Sequence, residues 1–136
     1  MSKQPNILVI LSDQHARRYS ACYGHPVVQT PNLDRLAARG LRFDNACCDS
    51  PLCVPSRSAF MTGKRVSTLE IWDNNTVLPS DERTLAHRLD EAGYDAVLCG
   101  RMHFNGDDKT HGFQAQIADD PHPHASIPAW AAGGTV

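Results

Sequence analysis

Residues 53–57 combine a thiol and a guanidinium at a spacing suited to chemistry on an anionic group. In Cys53-Val54-Pro55-Ser56-Arg57, the proline can begin a helix, so the thiol is expected just before a helix N-terminus, where anions are favoured. Arg57 offers a planar fork for a tetrahedral oxyanion. The alternative is a small buried thiol beside a surface arginine. A tyrosine-phosphatase loop is excluded, because Ala59 stands where that loop needs its arginine.

A second candidate is the pair Asp13-Gln14, which directly follows the apolar run Ile7–Leu11. A carboxylate in this position can hold a hard divalent cation, and the neighbouring amide can add a neutral oxygen ligand. The alternative is an ordinary turn or capping role, because aspartate is common in turns.

The patterning around these residues predicts strands that alternate with helices. Apolar runs mark the strands, and capping residues, apolar stripes and glycine stops mark the helices. The predicted elements are a strand Asn6–Leu11, a helix capped by Thr30 that ends at Gly40, a strand Leu41–Ala46, a helix from Ser56 to Gly63, a helix capped by Ser80 that ends at Gly93, and a strand Tyr94–Cys99. The pattern fades after Gly106.

This alternation indicates an α/β fold with a mostly parallel sheet and helices on both faces. Ligands of such sheets bind beyond the carboxyl ends of the strands. The segment Ser12–Gln14, the loop that carries Cys53, and the segment Gly100-Arg101-Met102-His103 are therefore expected at one rim. We expect residues 1–117 to form one domain segment and residues 118–136 to form a truncated tail rich in Pro, Gly and Ala.

Composition excludes several classes of protein. The chain has 136 residues, a net charge of -2, 41% hydrophobic residues and 21% charged residues, which is ordinary for a globular domain and unlike a disordered chain. No apolar run approaches the ~18 residues of a membrane helix. The chain also lacks the excess of basic residues that would predict a nucleic-acid partner. We therefore expect neither a membrane nor a nucleic acid as a partner.

The cysteines and the N-terminal residues predict a cytoplasmic protein. There are five cysteines, an odd number, and none has Cys-x-x-Cys spacing, which argues against a disulfide framework and a zinc knuckle. The N-terminal residues lack the apolar region and cleavage site of a signal peptide. Reduced thiols are typical of the cytoplasm.

With these residues in view, the chain resembles the sulfatase family. The segment Cys53-x-Pro55-Ser56-Arg57 resembles the sulfatase signature, in which the cysteine is oxidised to formylglycine. Four other segments agree with that family: Pro5–Gln14 with its opening strand and metal loop, Thr30–Ala37 with its first long helix, Ala59–Gly63 with the helix after the signature, and Gly100–His103 with its Gly-Lys-x-His motif, where Arg101 replaces the lysine.

The resemblance points to the branch of choline sulfatases and phosphonate monoester hydrolases. The features that suggest this branch are Asp13-Gln14 in place of an Asp-Asp pair, Asp73-Asn74, Met102-His103-Phe104, and His111-Gly112-Phe113. The implied fold is the alkaline-phosphatase-like α/β fold, of which residues 1–117 would form the amino-terminal part.

The resemblance also implies a mechanism. A hydrated aldehyde at Cys53, made acidic by a metal, would attack the sulfur of a sulfate ester in line, and sulfate would leave as the aldehyde reforms. Asp13, Gln14 and an oxygen of modified Cys53 would hold the divalent cation. Ca²⁺ is the first choice, and Mn²⁺ and Mg²⁺ are alternatives.

The remaining roles follow from the same resemblance. Arg57 would hold the formylglycine and offset negative charge, and Arg101 would stabilise the transferring oxygens. His103 would act as the base for the hydroxyl that collapses. Asn74 would contact the substrate or the sulfate oxygens.

The resemblance finally implies that this segment is incomplete. Family members run to several hundred residues, and their later residues complete the metal site and protonate the leaving group. We therefore expect a partner, either the carboxy-terminal remainder or another chain. The alternatives are a phosphonate or phosphate ester hydrolase of the same branch, or a non-catalytic remnant that binds a partner through an open sheet edge.

Overall fold

The structure is a computed structural model that describes residues 4–118. Its contacts divide the chain into two units, Met1–Ala46 and Cys47–Val136. Apart from Ala118, the predicted tail lies outside the described residues. Between residues 4 and 118, none of the helices combines the length and the apolar character that a bilayer span requires.

From residue 4 to residue 46, the first unit contains one α-helix, α1 (Pro31–Arg39), and two short 3₁₀ turns, Arg17–Tyr19 and Ala21–Tyr23. The predicted helix is confirmed: Pro31 occupies its first position, and Thr30 and Gly40 flank it. The hydroxyl of Thr30 accepts a hydrogen bond from the backbone N–H of Ala21 (2.9 Å), so it joins the second turn to the start of α1.

Two predicted strands are wrong: residues of Asn6–Leu11 and Leu41–Ala46 do not form strands in the structure. Leu8, at the centre of the first run, is 84% exposed. A buried parallel strand needs hydrogen-bonded neighbours on its edges, and residues 4–46 contain no strand that could pair with either run. Apolar patterning alone therefore does not produce a strand here.

Between residues 47 and 118, the second unit contains three helices and a hydrophobic core. The helices are α2 (Cys53–Thr62), α3 (Val66–Leu69) and α4 (Leu85–Glu91). The buried positions of α2 recur at the spacing of one helix face. The core is made by Val54, Met61, Ile71, Leu78, Ala86, Ala96, Leu98, Met102 and Phe104.

The strands of the second unit are β1 (Val97–Cys99) and β2 (Ala115–Ala118), which pair in parallel. The prediction of a strand over Tyr94–Cys99 is confirmed for its last three residues, whereas β2 was not predicted. Ala-Gln-Ile-Ala has weak strand propensity, so β2 depends on its pairing with β1. The irregular connection between them, residues 100–114, begins at the carboxyl end of β1.

The start of α4 differs from the prediction, because Thr84 rather than Ser80 is its N-cap. The backbone N–H of Thr84 donates to His87 Nδ1 (3.2 Å), and the Thr84 hydroxyl donates to the carbonyl of His111 (2.6 Å). Gly112 packs so closely here that a Cβ would lie 2.7 Å from the His87 ring. These tertiary contacts move the helix start by four residues.

His111 is fully buried in this unit, and neither of its ring nitrogens has a hydrogen-bond partner. Its ring packs on Phe104 with centroids 4.5 Å apart. Burial lowers the pKa of His111 from its ordinary value of 6.5. The carboxylate of Asp108, 3.6 Å from Nδ1, opposes that shift, while His87 and Lys109 add to it. The folded state therefore binds a proton here less readily than the unfolded state.

This difference predicts a pH-dependent stability. As pH falls below 6.5, the unfolded chain gains a proton at His111 that the folded chain resists, so the free energy of unfolding decreases. We expect the urea midpoint to fall between about pH 7 and about pH 5, and to fall less in His111→Phe, which keeps a ring in the core. Equal pH slopes for the two proteins would contradict this assignment.

Candidate functional site

Cys53 is the first residue of α2, and Leu52 is the N-cap. The prediction placed the helix start near Ser56, so the helix begins three residues earlier than expected. Pro55 is compatible with this start, because the first backbone N–H groups of a helix have no acceptor within the helix. The half-buried thiol therefore lies in the first turn, at the end of the helix that favours anions.

Asn74 caps this helix from twenty residues away in sequence. Its side-chain oxygen Oδ1 accepts a hydrogen bond from the backbone N–H of Val54 (3.0 Å). Leu52 cannot supply such a cap, because its side chain has no polar atom. The structure thus assigns Asn74 a contact with the residue after Cys53, in addition to the substrate contact that the resemblance implies.

Arg57 lies one helical turn after Cys53 and is only 7% exposed. Its Nη1 donates a hydrogen bond to the carbonyl of Arg101 (2.9 Å), which belongs to the connection after β1. The surface-arginine interpretation is therefore wrong, because the side chain of Arg57 is buried. Arg57 links the signature helix to the segment that carries Arg101 and His103.

Arg101 and His103 are in direct contact. Nη2 of Arg101 lies 2.6 Å from Nδ1 of His103. A guanidinium has no acceptor, so Nδ1 must accept this hydrogen bond, and the neutral imidazole must carry its proton on Nε2. His103 also has φ +58, a left-handed conformation that costs a non-glycine residue about 1 kcal/mol and occurs preferentially at functional sites.

This contact predicts the tautomer of His103. At about pH 8, where an ordinary imidazole is neutral, we expect its ¹⁵N chemical shifts to show the Nε2–H form. Arg101→Ala should give a mixture of tautomers, whereas Arg65→Ala, which removes an exposed arginine, should leave the Nε2–H form unchanged. A wild-type spectrum of the Nδ1–H form would contradict the arrangement.

Within the second unit, the structure brings together the predicted residues Cys53, Arg57, Asn74, Arg101 and His103. Asp13 and Gln14 are exposed and form a turn within the first unit. Gln14, like His103, has a left-handed backbone conformation, with φ +56.

Sequence reasoning missed Asn105, whose side chain contacts the turn that carries Asn74. An asparagine in a loop gives no signal by which this role could be recognised.

The residues that the resemblance assigns to the metal are too few to hold a divalent cation by themselves. Between residues 4 and 118, no group of three or more His, Cys, Asp and Glu side chains could hold a metal ion. Calcium requires about six or more oxygen ligands, and Asp13, Gln14 and Cys53 cannot supply that number. These residues alone therefore do not fit the metal that the resemblance implies.

Comparison with known proteins identifies what this arrangement is similar to. A family model described as Sulfatase matches residues 5–132. Choline-sulfatase of Rhizobium meliloti (strain 1021) is 40% identical over 120 residues, which are 88% of this chain and 23% of that protein. N-acetylglucosamine-6-O-sulfatase of Bacteroides thetaiotaomicron is 37% identical over 102 residues, or 75% of this chain and 18% of that protein.

The solved structures agree with the sequence matches. A protein in complex with its substrate D-glucosamine-2-N,6-O-disulfate superimposes with a TM-score of 0.78 at 35% identity, and the match covers 84% of this chain and 23% of that chain. The structural neighbours are sulfatases of the alkaline-phosphatase-like fold, so the predicted fold class is confirmed as a partial α/β fold with a parallel sheet. The chain spans about a quarter or less of these relatives.

Proposed function

The chain belongs to the sulfatase family, and from this premise we propose that it is the nucleophile-bearing segment of a sulfate ester hydrolase. The resemblance carried by the sequence motifs is thereby confirmed. We further propose a small-molecule sulfate ester as substrate and the carboxy-terminal remainder of a sulfatase domain, on the same or another chain, as the part that completes the site. Residues 1–136 combined with that remainder are called the assembled enzyme below.

One observation carries the proposal: the buried Arg57 joins the helix that begins at Cys53 to the segment that carries Arg101 and His103. A nucleophile candidate at a helix N-terminus is thus linked to two guanidinium groups and an imidazole. Such an arrangement favours a tetrahedral anion, because cations and helix N-termini both attract negative charge.

In this proposal, Cys53 acts as formylglycine, which the sulfatase family generally uses. The modification would supply a hydrated aldehyde that can release sulfate, whereas a thiol would leave a stable thiosulfate ester. Arg57 offsets negative charge beside this residue. Arg101 stabilises the transferring oxygens through the N–H donors of its guanidinium.

His103 is the proposed base, but its hydrogen bond with Arg101 must open before it can accept a proton. Its lone pair on Nδ1 is engaged by Arg101. The imidazole can accept a proton only when that hydrogen bond opens, because the other nitrogen already carries one. Arg101 thereby controls when His103 acts as a base, and a mobile anion that draws the guanidinium away would release Nδ1.

Asp13 is the proposed metal ligand of this segment, with Gln14 beside it, and further ligands must come from the remainder. In the assembled enzyme, Asp13→Asn is expected to weaken binding of Ca²⁺ or Mn²⁺ by at least about tenfold, because a charged ligand is lost. Asp34→Asn is the comparison, since Asp34 Oδ1 already accepts hydrogen bonds from Cys22 N and Thr30 Oγ1. Equal metal titrations for the two variants would contradict the assignment.

The substrate class is tested with paired esters of one leaving group. The assembled enzyme should hydrolyse 4-nitrophenyl sulfate faster than 4-nitrophenyl phenylphosphonate. The reverse order would favour the phosphonate ester hydrolase of the same branch, and no hydrolysis of either ester would favour a partner-binding remnant. The cytoplasmic location stays a prediction.

A further inference from the structure

A turn at residues 73–76 connects Asn105 to the helix that begins at Cys53. We propose that Asn105 is a positioning residue for Cys53 and acts through Asn74. The hydrogen bonds of Asn105 and Asn74 support the positioning of Cys53 by themselves, whereas an effect of this positioning on catalysis rests on the proposed function.

The first step is the cap on α2. The N-cap residue Leu52 has no polar side chain, and the N–H of Val54 donates to Oδ1 of Asn74 (3.0 Å). An N-terminal cap stabilises the first turn of a helix, and its loss allows that turn to fray. Because Cys53 is the residue before Val54, the position of the thiol depends on where Asn74 is held.

The second step is the internal shape of the turn. Oδ1 of Asp73 accepts hydrogen bonds from the N–H of Asn75 (2.9 Å) and from the N–H (3.0 Å) and hydroxyl (2.8 Å) of Thr76. The turn is thus a preformed unit, but nothing in these bonds fixes it relative to α2 or β1.

Asn105 provides that fixation. Its Nδ2 group donates to the carbonyls of Asn74 (2.7 Å) and Thr76 (3.0 Å), which are two residues apart on the turn. A planar amide with two N–H donors suits two carbonyls in this relation. Close packing at the adjacent residue supports the contact, since a Cβ on Gly106 would lie 2.6 Å from the side chain of Val77.

The consequence is a coupling between the two halves of the proposed site. Asn105 lies two residues after His103, so one amide group ties the segment of the base to the turn that caps the helix of the nucleophile. Arg57 makes the second tie between the same segments, through the carbonyl of Arg101. Loss of Asn105 should therefore loosen the start of α2 without unfolding the unit.

The test is amide hydrogen exchange in the 136-residue chain. Asn105→Ala should speed exchange of the Val54 amide by roughly five- to tenfold, the equivalent of a lost cap. Asn75→Ala, which removes an exposed side chain from the same turn, should leave that exchange unchanged. Amides of α4 and β1 should exchange as in the wild type.

A double-mutant cycle separates positioning from a general structural role. In an Asn74→Ala background, Asn105→Ala should add no further increase at Val54, because the cap is already absent. Full additivity, or wild-type exchange at Val54 in Asn105→Ala, would overturn the proposal.

Should Asn105→Ala unfold the chain, the fallback variant is Asn105→Ser, which retains one donor. It should speed exchange of the Val54 amide by less than about fivefold, and no increase in that exchange rate would overturn the proposal. Neither readout needs hydrolysis, so failure here is distinct from failure of the proposed function.

Discussion

Replacement of Cys53 by alanine is expected to lower sulfate ester turnover by the assembled enzyme by at least about 10⁴-fold. The reason is that the proposed mechanism forms its covalent intermediate on this residue, so the substitution removes the nucleophile. Cys53 is also the one cysteine followed by Pro and Arg at the signature spacing. The measurement is the kcat for 4-nitrophenyl sulfate.

Two other cysteines provide matched controls for this substitution. Neither Cys22 nor Cys48 is followed by Pro and Arg at the signature spacing, so Cys22→Ala and Cys48→Ala should retain most of the turnover. Wild-type activity in Cys53→Ala, or loss of activity in all three variants, would contradict the assignment of the nucleophile.

The second large effect concerns the segment without its remainder. Residues 1–136 alone are expected to hydrolyse an aryl sulfate no faster than their Cys53→Ala variant, even with Ca²⁺ or Mn²⁺ added. Between residues 4 and 118 no group of three or more His, Cys, Asp and Glu side chains could hold the cation, and charge on the transferring group would be offset only in part.

Addition of the remainder in trans should restore turnover if the two parts assemble. The comparison is the rate with and without the added portion, at constant metal concentration. Turnover by the 136-residue chain that depends on both metal and Cys53 would show that the segment needs no completion.

Two helices were largely predictable because their signals are local. Pro31 and Gly40 mark the two ends of α1, and Gly63 ends α2 as expected, whereas α2 begins at Cys53 rather than near Ser56. Where a tertiary contact decides the boundary, the prediction failed. The start of α4 at Thr84 depends on the carbonyl of His111, twenty-seven residues later, which no local pattern shows.

The strands were less predictable because a strand depends on its partner. The apolar run Ile7–Leu11 is exposed, since residues 4–46 offer no strand to pair with it. Conversely, Ala115–Ala118 carries little strand signal and pairs with β1 nonetheless. Pairing overrides the propensity of such short segments in both directions.

The candidate residues of the site could be named from the sequence, but the hydrogen bonds that connect them could not. The spacing of Cys53 and Arg57 and the pair Arg101 and His103 marked candidates that the structure brings into contact, and their catalytic roles stay predictions. The contacts of Arg57 with Arg101 and of Asn105 with the turn at 73–76 span 44 and about 30 residues, and they arise from folding of the whole unit. Long-range hydrogen bonds of this kind leave no trace in residue spacing.

The most direct test of the central claim is tandem mass spectrometry of the peptide that contains residue 53. The 136-residue chain would be produced in a host that converts a reference sulfatase to its formylglycine form. The proposal predicts an aldehyde in place of the Cys53 side chain, with Cys22 and Cys99 retained as thiols in the same sample. An unmodified thiol at Cys53, beside a reference sulfatase that is modified in the same cells, would contradict it.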